Sequence, residues 1–85
     1  MAREKTIEKI ICLIHEINQF EEIQRDTELI KSGILNSLGI FELVCLLETE
    51  FGMEIPEDRF VPENFSSAAV IAELIMELTA KDGKE

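Results

Sequence analysis

Ile7, Ile10, Ile11, Ile14 and Ile17 recur at the i, i+3, i+4, i+7, i+10 spacing of one helical face, with polar or charged residues at 8, 9, 15, 16, 18 and 19. The spacing predicts an amphipathic helix over residues 3–20. Its apolar stripe has to be covered by other parts of the chain, and two further segments offer matching faces. From Leu38 to Phe51 the apolar positions Leu43, Leu47 and Phe51 recur at i+4 with Val44 beside them. Gly52 then supplies a stop, because glycine tolerates the left-handed conformation that ends a helix. Val70, Ile71, Leu74, Ile75 and Leu78 form the stripe of a last helix, which Ser66 or Ser67 can cap.

The connections are shorter on pattern. "EIPEDRF" and "VPENFSS" each hold a proline, which leaves room for a helical turn around residues 57–60 and little more. "EEIQRDTELIKSG" reads as a long loop that tucks Leu29 and Ile30 inward, and a loop of that length in a compact domain points to function at the junction it reaches. No segment alternates with period two. The expected fold is all-α: a four-helix bundle with three main helices and one short third helix. At 85 residues and 46% hydrophobic content the chain supports one modest core, hence a single domain over residues 1–85 with a frayed polar tail at about 81–85.

Eighteen acidic residues against eight basic ones give a formal net charge of −10. Residues 42–63 hold Glu42, Glu48, Glu50, Glu54, Glu57, Asp58 and Glu63 against Arg59 alone, whereas residues 1–25 are nearly balanced. Such a surface repels nucleic acid and anionic lipid and suits basic protein partners. A solvated face kept soluble by charge accounts for acidity as such, but not for its concentration in one segment. No window approaches 18 uninterrupted apolar residues, and the start "MAREKTIEKI" alternates charge with isoleucine. The expectation is a soluble, cytoplasmic monomer with no membrane insertion. Cys12 and Cys45 lack CxxC spacing and sit among apolar neighbours, so they read as reduced packing residues, buried or half-buried.

Most chemistries find no residues here. The single histidine, His15, lies opposite the isoleucine stripe, which leaves no Ser/His/Asp arrangement. HExxH, calcium-loop, GxGxxG and phosphate-loop patterns are absent. The reading is of a protein that is not an enzyme and has no metal site. What remains is "GILNSLGIFEL", where Asn36 or Ser37 can cap the second helix. A helix amino terminus also favours a covalently attached phosphate through its free N–H groups and its dipole. Ser37 is thus either a structural cap or the anchor of a phosphodiester.

"GILNSLGIFELVCLLETEFGMEIP" resembles the second-helix segment of the acyl carrier proteins, with their Asp-Ser-Leu motif, acidic helix, Phe and Ile-Pro. Ser37 and Leu38 match the last two positions of the triplet, and Glu42, Leu43, Glu48, Glu50, Phe51, Ile55 and Pro56 match the spacing beyond. The resemblance is clearest from about residue 26 to residue 78, and "SGILNSLG" is similar to the motif of the stand-alone D-alanyl carrier proteins. It implies that a phosphopantetheinyl transferase places 4′-phosphopantetheine from coenzyme A on Ser37, and that the thiol of this arm carries an acyl group as a thioester. It implies partner contacts through Leu38, Glu42, Glu48 and Glu50, read by basic docking patches on acyl-loading and acyl-processing enzymes. The main expectation is an acyl carrier of fatty-acid, polyketide or related biosynthesis. The alternatives are an aminoacyl, D-alanyl or peptidyl carrier, and an unmodified helical interaction module.

Three positions depart from the family pattern. Asn36 replaces the usual aspartate; Gly39 stands where an acid is common, weakening the helix start and removing a partner charge; Phe41 is bulkier than the usual aliphatic residue. Phe41, Phe60 and Phe65 are expected either to fill the interior space that shelters long acyl chains, leaving short or polar cargo, or merely to complete a small core.

Overall fold

The computed structural model describes residues 2–19 and 22–83. Helix α1 spans Ala2–Ile17, α2 spans Ser37–Phe51 and α3 spans Ala68–Gly83. Among the described residues there is no strand, and α1 packs against both other helices. The short third helix is realised as two 3₁₀ turns, Glu57–Arg59 and Pro62–Phe65, which follow Pro56 and begin at Pro62. Pro62 holds the preceding Val61 in an extended conformation, so the first turn cannot run on into the second.

The isoleucine stripe faces inward as its spacing requires: Ile7, Ile10 and Ile14 are buried, joined by Leu13. They meet Leu43, Val44 and Leu47 of α2 and Ala68, Ile71, Ala72, Leu74, Ile75 and Leu78 of α3 in one core. Val70, expected in the α3 stripe, is only half-buried, and the small Ala68 and Ala72 are wholly buried. α1 stops at Ile17, short of the expected residue 20; Phe20 lies outside the described residues. α3 continues to Gly83, into the segment expected as a frayed tail, and Lys84 and Glu85 lie outside the described residues.

The cysteines are a correction. Cys12 and Cys45 are both exposed. Each follows a fully buried residue, Ile10 or Leu43, by two positions, which is about 200° around a helix and places it on the opposite face. Their apolar neighbours are close in sequence and not in space.

The connection before α2 is long but anchored. Leu29 is fully buried, its N–H donates to Ser66 O at 2.8 Å, and its carbonyl accepts the Leu35 N–H at 2.9 Å. The Ala69 N–H donates to Arg25 O at 3.1 Å, tying the same loop to the start of α3. The loop turns at Gly33, whose φ of 85° is in the region glycine favours, and delivers the chain to Asn36. Of the two candidate caps for α3, Ser67 is the one used: its Oγ accepts the Val70 N–H at 3.3 Å.

Candidate functional site: the amino terminus of α2

Asn36 is the N-cap of α2. Its backbone is extended, its Oδ1 accepts the Gly39 N–H at 2.8 Å, and its carbonyl accepts the Ile40 N–H at 2.9 Å. Ser37 is therefore the first helical residue and not the cap, and among the described residues its side chain makes no hydrogen bond. It is exposed. The amides of Ser37 and Leu38 stay at the open end of a 15-residue helix whose first turn holds no acidic residue. The positive end of the helix dipole is thus not offset by a carboxylate of its own turn, and it favours an anion held there.

Gly39 is not a lost surface charge. It is buried, and a Cβ at this position would lie 3.2 Å from Leu35 Cδ2, 3.5 Å from Asn36 Oδ1 and 3.8 Å from Ile17 Cγ2. The glycine lets the start of α2 approach the end of α1 and the incoming loop. An acid here would begin among these contacts and would not stand out toward a partner.

Apolar side chains surround Ser37. Leu38 is 69% exposed and Phe41 is 60% exposed, so Phe41 does not fill the interior as expected. Ser37, Ile40, Phe41, Phe60, Val61, Pro62 and Phe65 line a cleft of about 280 Å³. Val61 and Pro62 were not singled out in the sequence; the signal available was the apolar "FVP" run in a segment without helical period.

The expected partner carboxylates divide. Glu42 is exposed and has no ion pair among the described residues. Glu48 Oε2 accepts the Ile55 N–H at 3.0 Å, and Glu50 Oε2 pairs with Lys9 Nζ at 2.9 Å. Lys9 Nζ also lies 6.0 Å from the centre of the Phe51 ring, within cation–π range. Two of the three acids are thereby engaged inside the molecule. Glu54, Glu57, Asp58 and Glu63 remain exposed, and Arg59 pairs with Glu77 of α3, not with any of them. The one base of this acidic segment is thus engaged with α3 and forms no ion pair with its own segment's acids. His15 is exposed, and no group of His, Cys, Asp or Glu among the described residues could hold a metal ion.

Residues 6–78 match the family described as "Phosphopantetheine attachment site". The chain belongs to this family. Family members carry a covalently attached 4′-phosphopantetheine and are carriers, not catalysts. The exposed hydroxyl at the open end of α2 fits such a group, since it offers an accessible oxygen beside free amides and no competing carboxylate. Among similar proteins, the D-alanyl carrier protein of Streptococcus suis is 32% identical over 73 residues, covering 84% of this chain and 91% of that protein. The D-alanyl carrier protein of Streptococcus uberis is 35% identical over 54 residues, covering 64% of this chain and 68% of its own. The fold is similar to that of a chain in a crystal structure of Bradyrhizobium japonicum glycine:[carrier protein] ligase complexed with glycylated carrier protein, with a TM-score of 0.65 at 24% identity, covering 88% of this chain and 99% of that one. No helix of this phosphopantetheine-attachment protein is long and apolar enough to cross a membrane among the described residues.

Proposed function

We propose that Ser37 is the attachment point of the phosphopantetheine arm and that the chain carries an aminoacyl group of the D-alanyl type. The observation that carries the first part is the division of labour at the helix start: Asn36 does the capping, which leaves the Ser37 hydroxyl exposed and uncommitted. The Ser37 oxygen would attack the phosphorus of coenzyme A that bears the pantetheine, forming the phosphodiester as the pyrophosphate bond breaks. Adenosine 3′,5′-bisphosphate would leave and the hydroxyl proton would pass to the transferase. The amides at the open end of α2 would stabilise the charge of the diester. The arm, once attached, supplies a terminal thiol that holds the cargo as a thioester. No base is needed in this chain, because the transferase that installs the arm supplies it.

The cargo class draws support from the D-alanyl carriers of Streptococcus, which favour the aminoacyl alternative over a role in fatty-acid or polyketide biosynthesis. An ATP-dependent ligase that activates a small amino acid would then load the arm. Its docking surface would meet Leu38 and Phe41 as apolar contacts and Glu42 as the free carboxylate of α2. Glu48 and Glu50 would take part less, since each already holds an intramolecular partner. Contacts of this exposed, charged kind give fast, salt-sensitive and weak association, which suits a carrier that moves between enzymes.

The test is intact-protein mass after incubation with coenzyme A, magnesium and a broad-specificity phosphopantetheinyl transferase, with Ser37→Ala alongside. A gain of one arm in the wild type and none in the variant is the expected outcome. An unmodified wild type, or an arm on the variant, would defeat the assignment of Ser37. Loading the holo protein with D-alanine or glycine by a carrier-protein ligase and ATP, against octanoate with an acyl ligase, then tests the cargo class.

A further inference from the structure

Three phenylalanines run in a line from the surface beside Ser37 into the core. Phe41 meets Phe60 with ring centroids 6.2 Å apart and planes at 79°, and Phe60 meets Phe65 at 6.5 Å and 88°. Both are the edge-to-face geometry that aromatic quadrupoles favour. Burial rises along the line: Phe41 is mostly exposed, Phe60 half-buried and Phe65 wholly buried. The cleft that Ser37 lines is bounded by these rings, and its volume of about 280 Å³ falls just below the roughly 300–1,000 Å³ of small-molecule sites.

Phe60 is the ring that touches both others, and its backbone is held from several sides. Its N–H donates to Glu57 O at 3.0 Å, Asn64 Nδ2 donates to Arg59 O at 2.9 Å, and the Arg59 side chain pairs with Glu77 of α3. Those bonds fix the turn from which the ring projects, and the edge contacts with Phe41 and Phe65 hold the ring itself in the line. Phe41, by contrast, stands on the rim and can turn without disturbing the core.

We propose that Phe60, braced between Phe41 and Phe65, is a specificity-determining residue that closes the way from the Ser37 cleft into the bundle. A group carried on the arm therefore stays outside the core, and a long linear acyl chain finds no shelter in it. This rests on the assignment of the arm to Ser37. It adds to that assignment a physical limit on cargo, since a small polar group such as an amino acid loses nothing by remaining in water, whereas a long alkyl chain does.

The experiment installs acetyl- and octanoyl-phosphopantetheine arms from the corresponding coenzyme A thioesters and maps the modified residue by peptide mass. Thioester cleavage by hydroxylamine is then timed for each form, with free acyl-coenzyme A as reference. Protection equals the reciprocal of the exposed fraction, so a sheltered chain shows as a slowed rate. In the wild type the octanoyl and acetyl forms should be cleaved at the same normalised rate, within about twofold; in Phe60→Ala the octanoyl form should slow by about fivefold or more. Octanoyl protection in the wild type would overturn the proposal, as would its absence in a folded Phe60→Ala. Should Phe60→Ala fail to fold by circular dichroism, Phe60→Val, which removes the ring but keeps a branched apolar side chain for packing, takes its place under the same criteria. An arm found on a residue other than Ser37 would instead defeat the site assignment, so the two failures are separable.

Discussion

Glu48 Oε2 lies 3.0 Å from the Ile55 amide, across the turn that Gly52 makes at the end of α2. Gly52 takes φ 64° and ψ 41°, and its N–H returns to Glu48 O, so the same residue fixes the helix end through its carbonyl and the following segment through its carboxylate. Replacing Glu48 by Ala leaves a part-buried amide unsatisfied and should lower stability by about 1–2 kcal/mol, while Glu48→Gln keeps an acceptor and should cost less than half of that. Denaturant midpoints at constant slope measure both. Equal losses in the two variants would mean that charge, and not the hydrogen bond, is what Glu48 contributes.

The assignment of the cap makes a paired prediction. Asn36→Ala should cost about 1 kcal/mol and Asn36→Asp little or nothing, since either side chain accepts the Gly39 amide. Ser37→Ala should stay within about 0.5 kcal/mol of the wild type. Thermal melts of the unmodified protein decide it, and a Ser37→Ala loss as large as that of Asn36→Ala would restore Ser37 as a cap.

Gly39 faces Leu35 and Ile17, with a hypothetical Cβ only 3.2 Å from Leu35 Cδ2. The branched side chain of Gly39→Val would press into these neighbours, and the expected loss is about 1–3 kcal/mol despite the entropy that glycine removal saves. An unchanged midpoint would show that Leu35 yields freely.

Salt acts on two opposed terms. Arg3–Glu73, Arg25–Glu4, Lys9–Glu50 and Arg59–Glu77 link different elements and are weakened by screening, but exposed pairs are worth only about 0–1 kcal/mol each. Repulsion among the ten net charges is relieved by the same screening. We expect the repulsion to dominate, so that Tm rises as salt increases from about 0.02 to 0.5 M. A falling Tm would give the ion pairs the larger share.

The three main helices were legible because each has an apolar stripe of helical period, and the loop and turns were legible from Gly52, Pro56 and Pro62. The site was legible less evenly. Asn36 and Ser37 are both good caps, and only the extended backbone of Asn36 and its bond to Gly39 separate them. The cysteines misled because chain neighbours were read in place of helix-face neighbours. The engagement of Glu48 depends on where the chain goes after Gly52, which no helical pattern encodes. Phe41 points outward because it lies between Gly39 and Leu43, both inward-facing, and is therefore off their face.

The anchored loop before α2 bears on the order in which the molecule assembles. Its bonds from Leu29 to Ser66 and from Ala69 to Arg25 join stretches far apart in the chain, so they form only once α3 has come back beside α1. A helix forms on roughly the microsecond scale and from local contacts alone, whereas these bonds wait for long-range closure. Ser37 therefore sits at the seam between an early-forming helix and a late-ordering strap. Any local opening that begins in the strap draws Leu29 and Leu35 out of the core and loosens the approach to Ser37 in the same event.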